Sequence, residues 1–214
     1  MALMRRQSLV KFDAPLCETI VDTPKPKGAE VLVRIERCGL CHSDLHIWDG
    51  YYEIGGGRHL NLTDRGMKLP LTMGHENVGE VVALGPEATG VKVGDVRLVN
   101  PWIGCGDCKV CRGGEENLCT RPRFVGVFSL GGYATHLVVP HARHLFDIGT
   151  LAPHEAAPLA CSGVTAYAAL KKVQPMLESE PVVIIGAGGV GLMAVTLARK
   201  MGAQQVIAVD IDAA

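Results

Sequence analysis

Residues 181–210 read PVVIIGAGGVGLMAVTLARKMGAQQVIAVD. The β-branched run Val182–Ile185 is followed by a glycine-rich turn and by the apolar stretch Gly189–Met201, which predicts a helix. Gly202 is a favourable residue for the end of that helix, and Gln205–Val209 forms a second β-branched run. The stretch therefore predicts a β-α-β unit.

A glycine motif opens the helix of this unit. Three glycines at the spacing G-x-G-x-x-G follow a strand and begin a helix, and in that context the motif predicts dinucleotide binding. Asp210 lies nineteen residues beyond Gly191, where a carboxylate accepts hydrogen bonds from ribose hydroxyls and repels a 2′-phosphate. NAD is therefore favoured over NADP, and Asp212 adds to the negative charge there. The candidate cofactor residues are Gly186, Gly188, Gly189, Val190, Gly191 and Asp210.

The sequence before this unit has a different pattern. Between Ser8 and Gly149, short β-branched runs alternate with glycine and proline, without a long helical period. This spacing indicates a compact all-β domain of the barrel type. The runs include Val31–Ile35, Val78–Leu84, Val96–Val99 and His136–Val139.

We therefore predict two domains, residues 1–150 and residues 151–214. The second begins with linking helices, Pro153–Val173 in two pieces around Gly163, and continues into the dinucleotide-binding domain. Two parallel strands and one crossover helix leave much apolar surface uncovered, so we expect this domain to be incomplete and the chain to be truncated.

The composition argues against several classes of protein. The 21 basic and 22 acidic residues give a formal net charge of -1 without a block of like charge, so nucleic acid and anionic membranes are not expected partners. The N-terminus has no apolar stretch of signal-peptide length, which favours the cytoplasm. The uncharged window Pro181–Ala198 approaches the length of a membrane span, but its glycines interrupt it.

Four of the eight cysteines fall within fifteen residues, inside the glycine-rich segment 104–120. Bunched cysteines in a long chain without a signal peptide favour metal over disulfides. Four thiolates fill the tetrahedral coordination of zinc and leave no position for substrate, so the site would be structural. Its predicted ligands are Cys105, Cys108, Cys111 and Cys119.

Other interpretations of these cysteines are weaker. In an iron–sulfur signature, three residues separate the last two cysteines and a proline follows the last one. Here seven residues separate the last two cysteines, and Thr120 follows. A nucleic-acid-binding zinc ribbon would need a basic surface.

A second set of candidate ligands is scattered along the chain: Cys41-His42-Ser43-Asp44-Leu45-His46, His75-Glu76 and Cys161. None of these segments identifies a metal site by itself. Cys38-x-x-Cys41 is similar to a redox pair but lies outside a β-α-β unit. His75 and Cys161 could be ordinary core residues.

Together these segments resemble the zinc-dependent alcohol dehydrogenases of the medium-chain dehydrogenase/reductase superfamily. The matching segments occur in the family's order: CGLCHSDLH from Cys38, GHE from Gly74, the cysteine segment, EAAPLACSGVTAY from Glu155 and GAGGVG from Gly186. The resemblance implies a GroES-like β-barrel followed by the first β-α-β part of a Rossmann domain, an α/β plus β fold.

The resemblance also implies an open catalytic zinc site and a relay. Cys41, His75 and Cys161 would bind this zinc, which makes two zinc ions per chain, and the fourth position would take water or substrate. Glu76 would approach the metal during ligand exchange, and Asp44 would orient His75.

By family position, Ser43 would lie beside the substrate oxygen and His46 would pass its proton to solvent. His42 would contact the pyrophosphate and Thr165 the nicotinamide. Trp48 and Trp102 align with pocket positions, although large aromatics are as often core residues. The loop Asp49–Pro70, longer than in many relatives, could reshape the cleft or be fully solvated.

The predicted function is NAD-dependent oxidation of a primary or secondary alcohol to an aldehyde or ketone, or the reverse. The alternatives are a polyol, sugar-alcohol or aldehyde-adduct dehydrogenase of the same superfamily, and a non-catalytic zinc-stabilised protein. The expected partner is a small molecule, and the resemblance implies a homodimer or homotetramer.

Overall fold

The computed structural model describes residues 2–211, which form two compact units, one through Ala160 and one from Cys161. Asp212 lies outside the described residues. No helix in the described part of the chain is both long and apolar enough to cross a membrane.

The main sheet of the first unit has five antiparallel strands in the order β10-β8-β7-β3-β9. Buried valines, leucine and isoleucine from these strands and the adjoining loops form its core, because β-branched side chains pack well on a pleated surface. Its strands are β3 (Val31–Gly39), β7 (Glu76–Leu84), β8 (Val96–Val99), β9 (His136–Val139) and β10 (Leu145–Asp147).

The pairing of β3 with β7 brings the two halves of the open site together. A Cβ atom on Gly79 would lie 2.2 Å from the backbone oxygen of Arg34, so only glycine allows this close approach. The register shifts between Ile35 and Arg37, and beyond this irregularity Gly39 pairs with Glu76. Bulges commonly redirect side chains beside functional sites.

A second sheet of the first unit has three strands in the order β2-β1-β6. Its strands are β1 (Leu3–Leu9), β2 (Cys17–Asp22) and β6 (Leu71–Thr72). An isolated bridge joins Arg6 of β1 to Ala134, just before β9. The predicted barrel-type β domain is therefore confirmed.

The segment Asp49–Pro70 is not a solvated loop. It contains the hairpin β4 (Tyr51–Glu53) and β5 (His59–Asn61), followed by a 3₁₀ turn at Thr63–Arg65. Gly55, Gly56 and Gly57 form its tip, all with positive φ. Leu62 and Met67 are buried in a core cluster with residues of β1 and of the helix that precedes the hairpin, so the segment is anchored.

Helices of the first unit are short. They are α1 (His42–Asp49), α2 (Lys109–Arg112) and α3 (Pro153–Ala156), and a 3₁₀ turn at Ala157–Ala160 continues from α3. Pro153 starts α3 at a position where its missing N–H costs nothing, and Glu155 caps the helix by accepting the Ala152 N–H. Both α3 and the turn pack against β3 and β7.

The second unit contains the predicted β-α-β element. The strands β11 (Val182–Ile185) and β12 (Val206–Val209) are parallel, and α5 (Gly189–Lys200) packs on them. The helix α4 (Ser162–Lys172) packs on α5. The predicted break at Gly163 lies instead at Cys161, whose ψ of -75° at a φ of -123° is not helical, and Gly163 is inside α4.

One face of this small sheet is uncovered. Val183, Ile185, Ile207 and Val209 are exposed on the face opposite α5. Parallel sheets normally have both faces covered, so this is the uncovered apolar surface that the sequence predicts.

Candidate metal centres and cofactor site

The open site is built around the start of α1. Cys41 precedes this helix with extended backbone, and Asp44, in the first turn, accepts the Cys41 N–H through Oδ2 at 3.0 Å. This cap satisfies a donor at the helix start and holds the Cys41 thiol beside it. The helix ends at Gly50, whose left-handed conformation lets its N–H donate to the carbonyl of His46.

The other oxygen of Asp44 faces His75. Oδ1 lies 3.3 Å from His75 Nδ1, and both side chains are almost fully buried. The contact lacks the alignment of a full hydrogen bond, and within residues 2–211 His75 Nε2 has no hydrogen-bond partner either. A buried imidazole with its second nitrogen unsatisfied is the condition that a metal ion relieves.

Three side chains of the first unit meet here. One ligand atom each from Cys41, His75 and Glu76 lies within 4.8 Å of the others. Glu76 is buried, and a Cβ atom on Gly39 would lie within 2.1 Å of its carboxylate, so the glycine leaves room for it. Thiolate, imidazole and carboxylate are the donors that zinc binds, so these residues fit a zinc ion.

The charge balance of His75 is unusual. Burial alone lowers the pKa of His75, but the close polar side chains of Asp44 and Cys41 and the negative charge of both groups outweigh it and raise the pKa to about 10. Without metal, these neighbours favour the imidazole that carries two protons. Because zinc binds neutral imidazole, one of them must leave when the metal binds.

A cleft of about 190 Å³ opens beside His75 and is lined almost wholly by apolar atoms. Its lining includes Ser43, Tyr52, Leu60, Leu62, Arg65, His75, Trp102, Phe124, Val127 and Phe128.

The two tryptophans have different places. The Trp102 ring lines the cleft with its centre 6.3 Å from that of His75, and its indole N–H donates to the carbonyl of Ala160 at 3.0 Å. Trp48 packs in the core cluster below the hairpin and donates to the carbonyl of Ala14 at 2.7 Å. The structure thus places only Trp102 among the cleft-lining residues named above.

The predicted relay residues lie on α1. Ser43 faces the cleft, and His46 is one turn further along the helix, where residues three apart are neighbours. The ring of His46 lies 4.9 Å from that of His42 and 4.8 Å from that of Tyr52, measured between centroids. His42 is exposed at the start of the helix.

The four predicted structural ligands form a second cluster, with their sulfur atoms within 4.8 Å of one another. Cys105 Sγ and Cys111 Sγ are 3.9 Å apart, as are Cys108 Sγ and Cys119 Sγ. A tetrahedral zinc with Zn–S bonds of 2.3 Å separates its sulfurs by about 3.8 Å, whereas a disulfide needs about 2.05 Å. The cluster therefore fits one tetrahedral ion.

Backbone donors prepare these sulfurs for a cation. The N–H groups of Cys105 and Arg121 point at Cys119 Sγ, at 3.4 and 3.3 Å, and they lower the pKa of the Cys119 thiol. Burial raises the pKa of the Cys111 thiol to about 12. Gly104 leaves space for that sulfur, because a Cβ atom would lie 2.5 Å from it.

The glycine turn of the second unit leaves the start of α5 open. Gly186 has a φ of +96°, and a Cβ atom on Gly191 would lie 1.8 Å from the Gly186 oxygen, so α5 can start only with glycine there. Cβ atoms on Gly188 or Gly189 would meet nothing within 4 Å, which leaves open space at the helix start. Asp210 follows β12 and accepts the N–H of Ala187, which ties the turn to the strand end.

The remaining predicted residues also belong to the second unit. Cys161 is its first residue and is buried. Thr165 is exposed on α4, and its N–H donates to the Cys161 carbonyl. Val190 is exposed in the first turn of α5.

Sequence reasoning missed several residues that support these sites. Gly132 and Asn77 fit together closely, since a Cβ atom on Gly132 would lie 1.6 Å from Asn77 Oδ1. Glu116 joins the cysteine segment to the barrel by accepting the Gly104 N–H and pairing with Arg143. The Tyr133 ring packs on Gly74, the residue before His75. A single sequence carries no signal for these contacts, because they join distant segments.

The chain resembles known proteins over nearly all its length. Residues 27–149 match the family described as "Alcohol dehydrogenase GroES-like domain". The NAD-dependent alcohol dehydrogenase of Sulfurisphaera tokodaii is 43% identical over 209 residues, which cover 97% of this chain and 59% of that protein. The D-arabinose 1-dehydrogenase (NADP(+)) of Saccharolobus solfataricus is 35% identical over 196 residues, or 90% of this chain and 53% of the relative.

A solved structure gives the same result for the fold. The D-arabinose dehydrogenase from Sulfolobus solfataricus superposes with a TM-score of 0.84 at 31% identity, covering 100% of this chain and 62% of that one. A β-barrel unit with a β-α-β unit and glycine turn defines the dehydrogenase class. The chain belongs to the zinc-dependent alcohol dehydrogenase family, through a GroES-like domain that matches more than half of it, and the predicted resemblance is confirmed.

Replacing a buried structural ligand should remove one zinc. We expect Cys111→Ser to lose the zinc of the cysteine segment and to lower the free energy of unfolding by on the order of 4 kcal/mol, because this metal contributes directly to folding. Metal analysis and thermal unfolding measure both effects. The control is Cys17→Ser, at an exposed cysteine outside both clusters; equal zinc contents in the two variants would contradict the assignment.

Zinc affinity at the open site should rise with pH beyond the usual range of histidine. Because the pKa of His75 is raised to about 10, its extra proton opposes zinc binding throughout pH 7 to 9. We expect Asp44→Asn to lower that pKa and to reduce the number of protons released on zinc binding by about one. Calorimetry in buffers of different ionisation enthalpy counts the protons, and equal counts would refute the role of Asp44.

Proposed function

We propose that the protein is a zinc-dependent oxidoreductase that transfers a hydride between an alcohol and NAD. The observation that carries this proposal is the arrangement of Cys41 with the buried side chains of His75 and Asp44 at the wall of an apolar cleft. Because the chain spans about three fifths of the length of the curated relatives it matches, the activity of the whole protein is itself part of the proposal.

The catalytic zinc would be held by Cys41, His75 and Cys161, with Glu76 close to it. Cys161 comes from the family motif, and its neighbour Ala160 is fixed in the first unit by the hydrogen bond from Trp102. Together with the closed cysteine cluster, this gives two zinc ions per chain. Zinc at the open site would supply Lewis acidity that lowers the pKa of an alcohol, and NAD would supply the hydride acceptor.

The protein's own residues would move the proton. The Ser43 hydroxyl, facing the cleft, would accept the proton of the alcohol and pass it along α1 to His46. His46 is half-buried between His42 and Tyr52, so its ring is restrained and still reaches water. Asp44 keeps His75 in the tautomer whose Nε2 is available to metal.

The second unit would bind the cofactor. The open start of α5 would receive the pyrophosphate, and Asp210 would accept hydrogen bonds from the ribose. His42 and Thr165 would add the contacts that the family predicts to the pyrophosphate and the nicotinamide. The carboxylate favours NAD over NADP, in contrast to the NADP named for the D-arabinose relative.

The cleft favours a simple alcohol over a polyol. A sugar or polyol needs polar partners for each hydroxyl, and burying unpaired hydroxyls is costly. Aromatic and aliphatic side chains dominate the cleft, and Ser43 and Arg65 are among the few polar groups that line it. The D-arabinose relative keeps a sugar dehydrogenase as the second candidate. A non-catalytic role would not explain why a buried carboxylate, Asp44, faces the buried imidazole of His75 beside the cleft.

We place this activity in the cytoplasm, in a homodimer or homotetramer. All eight cysteines lie within residues 2–211 and none is in a disulfide there, which suits a reducing compartment. The oligomeric state rests on the family resemblance.

Zinc stoichiometry tests the open site. We expect two zinc ions per chain, and Cys161→Ser should hold one, because a site with two protein ligands binds zinc weakly. Cys17→Ser is the matched control and should keep both. Two zinc ions in Cys161→Ser would rule out Cys161 as a ligand.

Activity is tested on the longest form of the protein that contains this sequence. We expect NADH formation with apolar primary or secondary alcohols and kcat/KM at least about 10-fold lower with polyols of equal length. Ser43→Ala should lower kcat by about 10² or more while leaving the zinc content unchanged. Absence of NAD reduction across neutral alcohols and polyols would refute the proposed function.

A further inference from the structure

Tyr133 belongs to a segment that lies against the residues before His75. The N–H of Gly131 donates to the carbonyl of Thr72 at 2.7 Å, that of Gly132 to Gly74 at 2.8 Å, and that of Tyr133 to Met73 at 2.9 Å. On the other side, the Gln7 N–H donates to the Tyr133 carbonyl at 2.8 Å. The backbone of Tyr133 is therefore fixed between β1 and the approach to His75.

The ring of Tyr133 packs directly on Gly74. A Cβ atom on Gly74 would lie 2.6 Å from Cδ1 of the tyrosine, and the positive φ of this glycine, +91°, makes a side chain unfavourable there in any case. The ring thus covers the peptide that precedes His75.

Two buried polar atoms in this region are left without a full hydrogen bond. Within residues 2–211, neither the Tyr133 hydroxyl nor Asp44 Oδ1 makes a hydrogen bond of standard geometry, although both are shielded from water. Burial raises the pKa of the Tyr133 hydroxyl, and the nearby negative charge of Asp44 raises the pKa further. The hydroxyl therefore keeps its proton and is a donor near an acceptor that needs one.

Other neighbours of Tyr133 are poorer acceptors. Burial raises the pKa of the Cys38 thiol to about 12, so this sulfur is uncharged at neutral pH. Glu76 adds negative charge near the hydroxyl, but its carboxylate packs against Gly39.

We propose that Tyr133 is a positioning residue whose hydroxyl donates a hydrogen bond to Asp44 Oδ1 and holds this carboxylate toward His75. Asp44 is already fixed at Oδ2 by the Cys41 N–H, so a second donor at Oδ1 leaves it one orientation. The inference rests on the proposed function, because the group finally positioned is the His75 ligand of the open zinc site.

The test is the rate at which the zinc-loaded chain loses metal to a chelator. Tyr133→Phe removes one oxygen and keeps the ring on Gly74, so we expect the open-site zinc to leave about 10-fold faster and the zinc of the cysteine cluster to leave at the wild-type rate. Tyr167→Phe, at an exposed tyrosine on α4, is the matched control. Thermal unfolding of the metal-free proteins verifies that each variant folds.

A double-mutant cycle separates positioning from packing. If Tyr133 acts through Asp44, Tyr133→Phe should change zinc release little further in an Asp44→Asn background. If the wild-type chain holds both zinc ions, additive effects of the two substitutions would overturn the inference. An unchanged rate of zinc release in Tyr133→Phe would overturn it as well. A wild-type chain that holds only the zinc of the cysteine cluster would overturn the proposed function and this inference with it.

Discussion

The open site depends on the two contacts that the buried carboxylate of Asp44 makes. One of its oxygens accepts the N–H of Cys41, and the other faces Nδ1 of His75, so a single side chain connects two candidate ligands that are distant in sequence. A buried carboxylate is costly unless its partners are in place. The same constraint therefore fixes the start of α1, the orientation of the imidazole and the direction of its free nitrogen.

The strands of the barrel bring the segments around Asp44 together. The close approach of β3 and β7 at Gly79, and the irregular register before Gly39, carry the chain from the core of the sheet to Cys41 on one side and to Glu76 on the other. The hairpin β4–β5 is anchored by Leu62 and adds apolar wall to the cleft. The same segments thus provide both core packing and the apolar lining of the cleft.

How much could be predicted from the sequence depends on the range of each interaction. The strand Val182–Ile185 and the start of α5 at Gly189 were predicted to the residue, because turn chemistry and periodicity are local. The break at Cys161 was misplaced at Gly163, since a glycine is tolerated inside a helix where neighbours pack on it. The hairpin within Asp49–Pro70 was not foreseen because its anchor, Leu62, packs on residues far away in sequence.

The two metal sites show the same rule in their chemistry. The closed cluster lies on one short segment whose backbone N–H groups and glycines shape it locally, so spacing alone predicts its ligands and its tetrahedral geometry. The candidate ligands of the open site in the first unit lie on α1 and on the strand entering β7, far apart in sequence, so only the family motif predicts them as one set. Asp44 lies three residues from Cys41, and its hydrogen bond with the Cys41 N–H could be read from the capping pattern, whereas the packing of Tyr133 on Gly74 exists only in the folded chain. The less local an interaction is, the more its assignment depends on the folded chain.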